Sequence, residues 1–127
     1  GSGAAGGMGG GMRAFLPSVL KAGSEIILEL CNFNERIEGA NLIITGEGRM
    51  DRQSLMGKIP GRILQAGQIQ KIPVIGIAGM VEDEKLLKEA GFQNIYTTKP
   101  KDMSIVEAMK KKVAIKNIKS VIQSVMK

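Results

Sequence analysis

Side chains suited to phosphate chemistry concentrate in one stretch of this chain, TGEGRMDRQSLMGK, from Thr45 to Lys58. Glu47 and Asp51 are the acids; either could help hold Mg²⁺ or orient a hydroxyl. Arg49 and Arg52 are cations of the kind that neutralise a phosphoryl group in transit. Gly46 and Gly48 allow backbone amides to come close to a ligand. Lys58 falls at the expected start of a helix, where unpaired N–H groups and the helix dipole favour anions. The stretch is not a P-loop, which needs a glycine, four residues, and then Gly-Lys-Ser/Thr. Here Ile59 follows Gly57-Lys58, and Arg52 stands where the earlier glycine is required. By residue type alone, a phosphate-handling loop and a solvated polar connection fit equally well.

A second glycine-rich stretch, GSGAAGG, formally matches G-x-G-x-x-G at Gly1, Gly3 and Gly6. No strand precedes it and no acid closes a ribose site at the required distance, so it does not read as a dinucleotide fingerprint. An anion-binding loop and a flexible terminus both remain open. Glu82, Asp83 and Glu84 read as charges at a helix start. Lys110–Lys112 reads as a solvated face, and the scattered methionines as gap-fillers.

The elements that must position these residues follow from periodicity. Residues 1–11 read as a Gly-rich loop. Met12, Phe15, Leu16, Val19 and Leu20 are spaced as one face of a helix. Pro17 must sit in its first turn or kink it. Ser24 can cap a second helix with Ile26, Ile27, Leu30 and Cys31 inward. A short turn over 34–38 completes a helical segment, 12–40. From there to residue 127 strands and helices alternate. ANLIITG, IPVIGIAG and FQNIYTT read as strands, the first two being apolar runs typical of strands buried on both faces. Between them lie helices over 58–69 and 82–91. Ser104-Ile105-Val106-Glu107 is a capping box that opens a C-terminal helix, with a break near Lys110–Lys112. The order βαβαβα after a helical start predicts an α/β fold with a parallel three-layer sheet. In such sheets ligands sit at the C-terminal strand ends, which is where TGEG and AGMVED fall.

Composition narrows the chemistry. The 127 residues contain no histidine and one cysteine, Cys31. Ser-His and Cys-His catalysis and His-containing zinc sites are therefore excluded within this chain. A lone thiol in an apolar helical pattern reads as buried and inert, in keeping with a cytoplasmic setting. The net charge of +6 resides in residues 99–127, where eight lysines face Asp102 and Glu107. That reads as a solvated helix face. Aromatics are 3% of the chain with no tryptophan, leaving little surface for base stacking. Neither a nucleic-acid partner nor a membrane is expected.

The blocks GSGAAGGMGGGMRAFL, IEGANLIITGEGRMDRQSLMGKIPGRI and IPVIGIAG closely resemble the C-terminal part of the type I family of bacterial glycerate kinases. The family motif A-D-L-V-I-T-G-E-G-R-x-D-x-Q-[ST]-x-x-G-K is met at Ala40, Leu42, Ile43, Ile44, Thr45, Gly46, Glu47, Gly48, Arg49, Asp51, Gln53, Ser54, Gly57 and Lys58. Asn41 replaces the common Asp, Ser54 the common Thr, and Ser2 a frequent Ala. The resemblance implies ATP-dependent phosphorylation of D-glycerate, at the 2-hydroxyl, with Mg²⁺, in organic-acid phosphorylation. It implies a two-domain glycerate kinase I-like fold with the site between domains. Residues 1–127 then represent a C-terminal portion: the N-terminal P-D-S-F-K-G-type motif is absent, and the partner it calls for is the remainder of the same enzyme. Alone it should be inactive, and its uncovered surface is compatible with homo-oligomerisation. The resemblance further implies catalytic roles for Asp51, Lys58 and Glu47. It implies substrate or phosphate contacts from Gly1, Gly3, Gly6, Gly7, Gly46, Gly48, Arg49 and Gln53, and Mg²⁺ ligation by Asp51 and Glu47. Two alternatives stand beside this reading: a kinase for another small hydroxy acid, and a non-catalytic binding or regulatory module.

Overall fold

The computed structural model describes residues 3–126. They divide into two compact units, Gly1–Arg36 and Ile37–Lys127. The first unit holds three helices: α1 (Ala4–Phe15), α2 (Gly23–Leu30) and α3 (Phe33–Arg36). Ala5, Gly6 and Gly7 turn left-handed, with φ of 51°, 67° and 91°. Regular helix therefore begins at residue 8 and includes glycines that the composition suggests are loop. Its end also differs from the periodic expectation over 12–20. Leu16 is extended at φ −131°, ψ 146°. The ring of Pro17 disfavours helical backbone in the residue before it, so Val19 and Leu20 lie beyond the helix rather than on its face. Ala22, not Ser24, occupies the N-cap of α2, and none of the residues in this helix is buried. The expectation of an inward Cys31 is corrected as well: its thiol is exposed. The period of Ile26, Ile27, Leu30 and Cys31 is helical, but in this unit nothing encloses that face.

The second unit is a parallel sheet of β1 (Ile43–Met50), β2 (Val74–Val81) and β3 (Asn94–Thr97), in the order β1-β2-β3. Helices α4 (Ile59–Gln70) and α5 (Glu84–Glu89) make the crossovers. Strand order and chain order coincide, so right-handed crossovers place α4 and α5 on one face of the sheet. The chain then forms α6 (Ile105–Ala108) and α7 (Lys111–Val125). Ser104 opens α6 as expected, its Oγ accepting from the Glu107 backbone N–H at 3.1 Å. Lys110 is extended at ψ 126°, which is the anticipated break.

Burial follows the period-2 alternation of the strands. In β1, Ile43 and Thr45 are buried while Ile44 between them is exposed. Ile43 lies on the α4 side, over Gly67. Ile44 faces the opposite side, where α6 and α7 make a third layer. The central strand β2 is buried from Val74 through Ala78, as a strand covered on both faces must be. Pro60, Ile63, Leu64 and Ala66 of α4 complete the core, together with Leu87, Phe92 and Ile95. No residue of α7 is buried, although its stripe of Ile118, Val121 and Ile122 is amphipathic.

Among the described residues no helix is long and apolar enough to cross a membrane.

Leu87 is 0% exposed, so Leu87→Ala removes a fully enclosed side chain and should cost about 2–5 kcal/mol in equilibrium unfolding. A cost below about 1 kcal/mol would show that α5 is not anchored to the sheet in this way.

Candidate active-site cleft and the turn after β1

Strand β1 continues past its glycines. Gly46, Glu47, Gly48, Arg49 and Met50 are strand rather than loop, in register with β2 through Arg49↔Met80 and Met50↔Val81. The extension follows from packing. Met50 is 0% exposed, and its thioether fills the space where a Cβ on Gly76 would otherwise sit, 2.8 Å away. The backbone ladder then carries on, with the Glu82 N–H donating to the Met50 carbonyl at 2.8 Å.

A single 3-10 turn, Arg52–Leu55, follows immediately. Asp51 and Ser54 form a reciprocal capping box across it. The Asp51 N–H donates to Ser54 Oγ at 3.2 Å, and Asp51 Oδ1 accepts from the Gln53 N–H at 2.8 Å. The turn lies on the first turn of α4. A Cβ on Gly61 would stand 2.7 Å from the Ser54 carbonyl oxygen and 3.0 Å from Leu55 Cα. The glycine is therefore what lets the two segments touch. Gly57, at φ 81°, supplies the left-handed step that leads the chain to Lys58, the N-cap of α4.

The polar side chains form one connected set. Arg49 donates through Nη2 to Glu82 Oε2 at 2.6 Å and pairs through Nε with Asp51 Oδ2 at 3.2 Å. Ser54 Oγ donates to Glu47 Oε2 at 3.3 Å. Arg49 and Glu82 are 53% and 47% exposed, so solvent screens their pair to a small contribution, about 0–1 kcal/mol. Asp51, at 15% exposure, is better shielded, and Ser54 is fully enclosed. The firm part of the network is thus the capped turn, and the Arg49–Glu82 arm is the part that can swing.

Beside the turn, at the C-terminal ends of β1 and β2, lies a cleft of about 770 Å³. Gly46, Glu47 and Gly48 line one wall, Ile77 to Met80 another, and α6 and α7 close the far side with Ile105, Met109, Ile118 and Ile122. The wall is mostly aliphatic. Its polar members are Thr45, Glu47, Thr98 and Lys99. The Lys99 ammonium donates to the carbonyls of Pro100 at 3.1 Å and Met103 at 2.9 Å.

The structure therefore sorts the residues that the sequence singles out. Gly46, Glu47 and Gly48 line the cleft; a Cβ on Gly46 would sit 3.0 Å from the Ile77 carbonyl, so strand packing also favours glycine there. Arg49, Asp51 and the Gln53 backbone join the turn network. Lys58 is exposed at the α4 N-cap, and neither it nor the Gln53 side chain lines the cleft. Gly3, Gly6 and Gly7 belong to the separate first unit, and Gly1 lies outside the described residues. Among the described residues no three His, Cys, Asp or Glu side chains converge as a metal cage. Sequence reasoning missed three residues. Glu82 reads as a helix-start charge because its partner, Arg49, is distant along the chain. Ser54 reads as a motif position without a role. Lys99 could have been found, since it follows β3 at the same sheet edge as TGEG.

Comparison with known proteins agrees with the architecture. The family model described as the glycerate kinase family matches residues 1–127. A glycerate kinase of Halalkalibacterium halodurans is 41% identical over 110 residues, covering 86% of this chain and 29% of that protein. A glycerate 2-kinase of Escherichia coli is 48% identical over 84 residues, covering 66% of this chain and 22% of its own length. The crystal structure of a protein assigned as glycerate kinase 2 from Salmonella typhimurium LT2 superposes with a TM-score of 0.63 at 30% identity, covering 99% of this chain and 33% of that one. The chain thus spans about a third or less of the length of these relatives. With a family match over its whole length, the chain belongs to the glycerate kinase family.

Proposed function

We propose that this chain serves as the C-terminal part of an ATP-dependent kinase that phosphorylates D-glycerate on its 2-hydroxyl. The observation that carries this reading is the family match along the whole chain. The name of the Escherichia coli relative, glycerate 2-kinase, supports the 2-position. The geometry is compatible: an open cleft at the C-terminal strand ends, bordered by glycine backbone and one carboxylate, Glu47.

In the transfer, the acceptor oxygen bonds to the γ-phosphorus, the bond to the β-phosphate oxygen breaks, and ADP leaves with that electron pair. The hydroxyl proton needs a base within hydrogen-bond reach. Glu47 takes that role in our reading. Its Oε2 is held by Ser54, and Oε1 has no hydrogen-bond partner among the described residues. Arg49 and Lys58 serve as cations for the phosphoryl oxygens, with Arg49 held by Asp51 until it is needed. Phosphate-bound Mg²⁺ is ordinarily held by one or two carboxylates plus the substrate itself. Both Asp51 oxygens are engaged, by the Gln53 N–H and by Arg49 Nε, so Asp51 would take such a place only once Arg49 turns to the phosphates. Glu47 would serve through Oε1 as base or as ligand, not as both at once, and no closed protein cage is present among the described residues. The ion would supply charge neutralisation on the phosphates. The remaining groups come from the rest of the enzyme. Because phosphoryl transfer depends on positioning from both sides of a cleft, the 127-residue chain by itself should not turn over.

Phosphorus NMR of the full-length parent with ATP, Mg²⁺ and D-glycerate should show 2-phosphoglycerate, and the isolated chain should yield none. A 3-phosphoglycerate resonance would move the acceptor position. No product from a folded parent would overturn the reading. Asp51→Asn keeps a capping side chain, and Lys58→Met keeps the stem of an exposed residue, so both should fold. Each should lower kcat of the parent by about 10²-fold or more with little change in Tm; undiminished turnover removes that residue from the site.

A further inference from the structure

We propose that Ser54 is a positioning residue that sets the Glu47 carboxylate for its work, rather than a structural hydroxyl alone. The inference rests on the functional reading of Glu47 given above.

Ser54 is 0% exposed, so both capacities of its hydroxyl must be met from within the protein. It has one O–H to donate and lone pairs to accept. The Asp51 N–H occupies a lone pair at 3.2 Å. That contact cannot use the hydroxyl proton, because an N–H only donates. The proton must go elsewhere, and the acceptor within reach is Glu47 Oε2 at 3.3 Å. The direction of the bond is therefore set by elimination: Ser54 donates to the carboxylate. A carboxylate that receives a donor on one oxygen keeps the other available for a proton or a cation.

The position of Ser54 is itself over-determined. It sits in the capped turn after β1, its backbone N–H donates to the Asp51 carbonyl at 2.9 Å, and its own carbonyl lies against Gly61 of α4. Glu47 is on β1, seven residues earlier. The hydroxyl thus links a strand residue at the cleft to a turn that cannot shift without breaking its cap and its contact with α4. Arg49 reaches the same turn through Asp51. The turn therefore holds the acid through Ser54, while the half-exposed Arg49 only touches it through Asp51.

The test uses the full-length parent. Ser54→Cys keeps nearly the same volume and weakens the donor, and Ser54→Ala removes it without overpacking, so at least one variant should fold. Removing a group that hydrogen-bonds and orients a working carboxylate costs about 10–100-fold in activity where such partners support a metal-binding ligand. We expect kcat to fall about tenfold or more, with the KM values for ATP and D-glycerate changing less than about twofold. In a Glu47→Gln background the same substitution should have almost no further effect, because residues that act as a unit are not additive. Unchanged kcat in a folded Ser54 variant overturns the proposal. So does a full additional loss in the double variant, or a loss confined to KM, since a merely structural hydroxyl would behave in those ways. A parent in which Glu47→Gln is harmless refutes the role of Glu47, and the positioning role falls with it. A folded parent that phosphorylates nothing refutes the functional reading first, an outcome distinguishable from all the others.

Discussion

The β1–β2 ladder, carried beyond the glycines to Met50 and Val81, is the constraint on which the candidate site depends. Parallel pairing would be expected to stop where glycine interrupts an apolar strand. It continues because Met50 buries its whole side chain, and because Gly76 on the neighbouring strand leaves room for it. The chain therefore enters Asp51 from a fixed strand, not from a free loop. The capping box, the contact with Gly61 and the orientation of Glu47 all depend on that entry.

The strengths of the polar contacts divide the site into a rigid part and a responsive one. Ser54 and Asp51 are shielded from solvent, and breaking their reciprocal bonds would leave enclosed groups unpaired, at about 1–3 kcal/mol each. Arg49 and Glu82 are half exposed, and water can replace either partner at little cost. Such a division suits a group that must bind a highly charged ligand and release it. Next to Glu82, Asp83 is left-handed at φ 52°, a conformation Asp adopts more readily than most residues, and the turn into α5 begins there.

The cleft arises from the same layering. With α4 and α5 on one face, the other face of β1 and β2 is covered only by α6 and α7, which leave Ile44 41% exposed. Neither short α6 nor α7 buries a single residue. The space between is bounded by aliphatic groups and, at the strand ends, by Glu47 and Lys99. Helix amphipathicity explains why α7 offers an apolar face to the sheet, but not how closely it approaches.

Local chemistry in the sequence was enough for the element order, the three parallel strands, the Ser104 cap and the break at Lys110, whereas the family was legible only through the resemblance of its motif blocks. Apolar runs, glycine and proline punctuation, and capping residues act over a few positions, so they are legible one segment at a time. The glycine-rich helix start, the helix stop before Pro17, the exposure of Cys31 and the true end of β1 were not legible. Each of these turns on competition between a local preference and a neighbour the local pattern does not contain, or on one local rule overriding another. At Leu16 the ring of Pro17 outweighs a helical period. At Cys31 an apolar face has nothing to enclose it. At Gly46–Met50 a side chain reaching across to Gly76 outweighs the glycines' preference for a turn. The Arg49–Glu82 pair and the Ser54–Glu47 bond belong to the same class. The first joins residues 33 positions apart, and the second depends on a hydroxyl that becomes a committed donor only once the fold has excluded water from it.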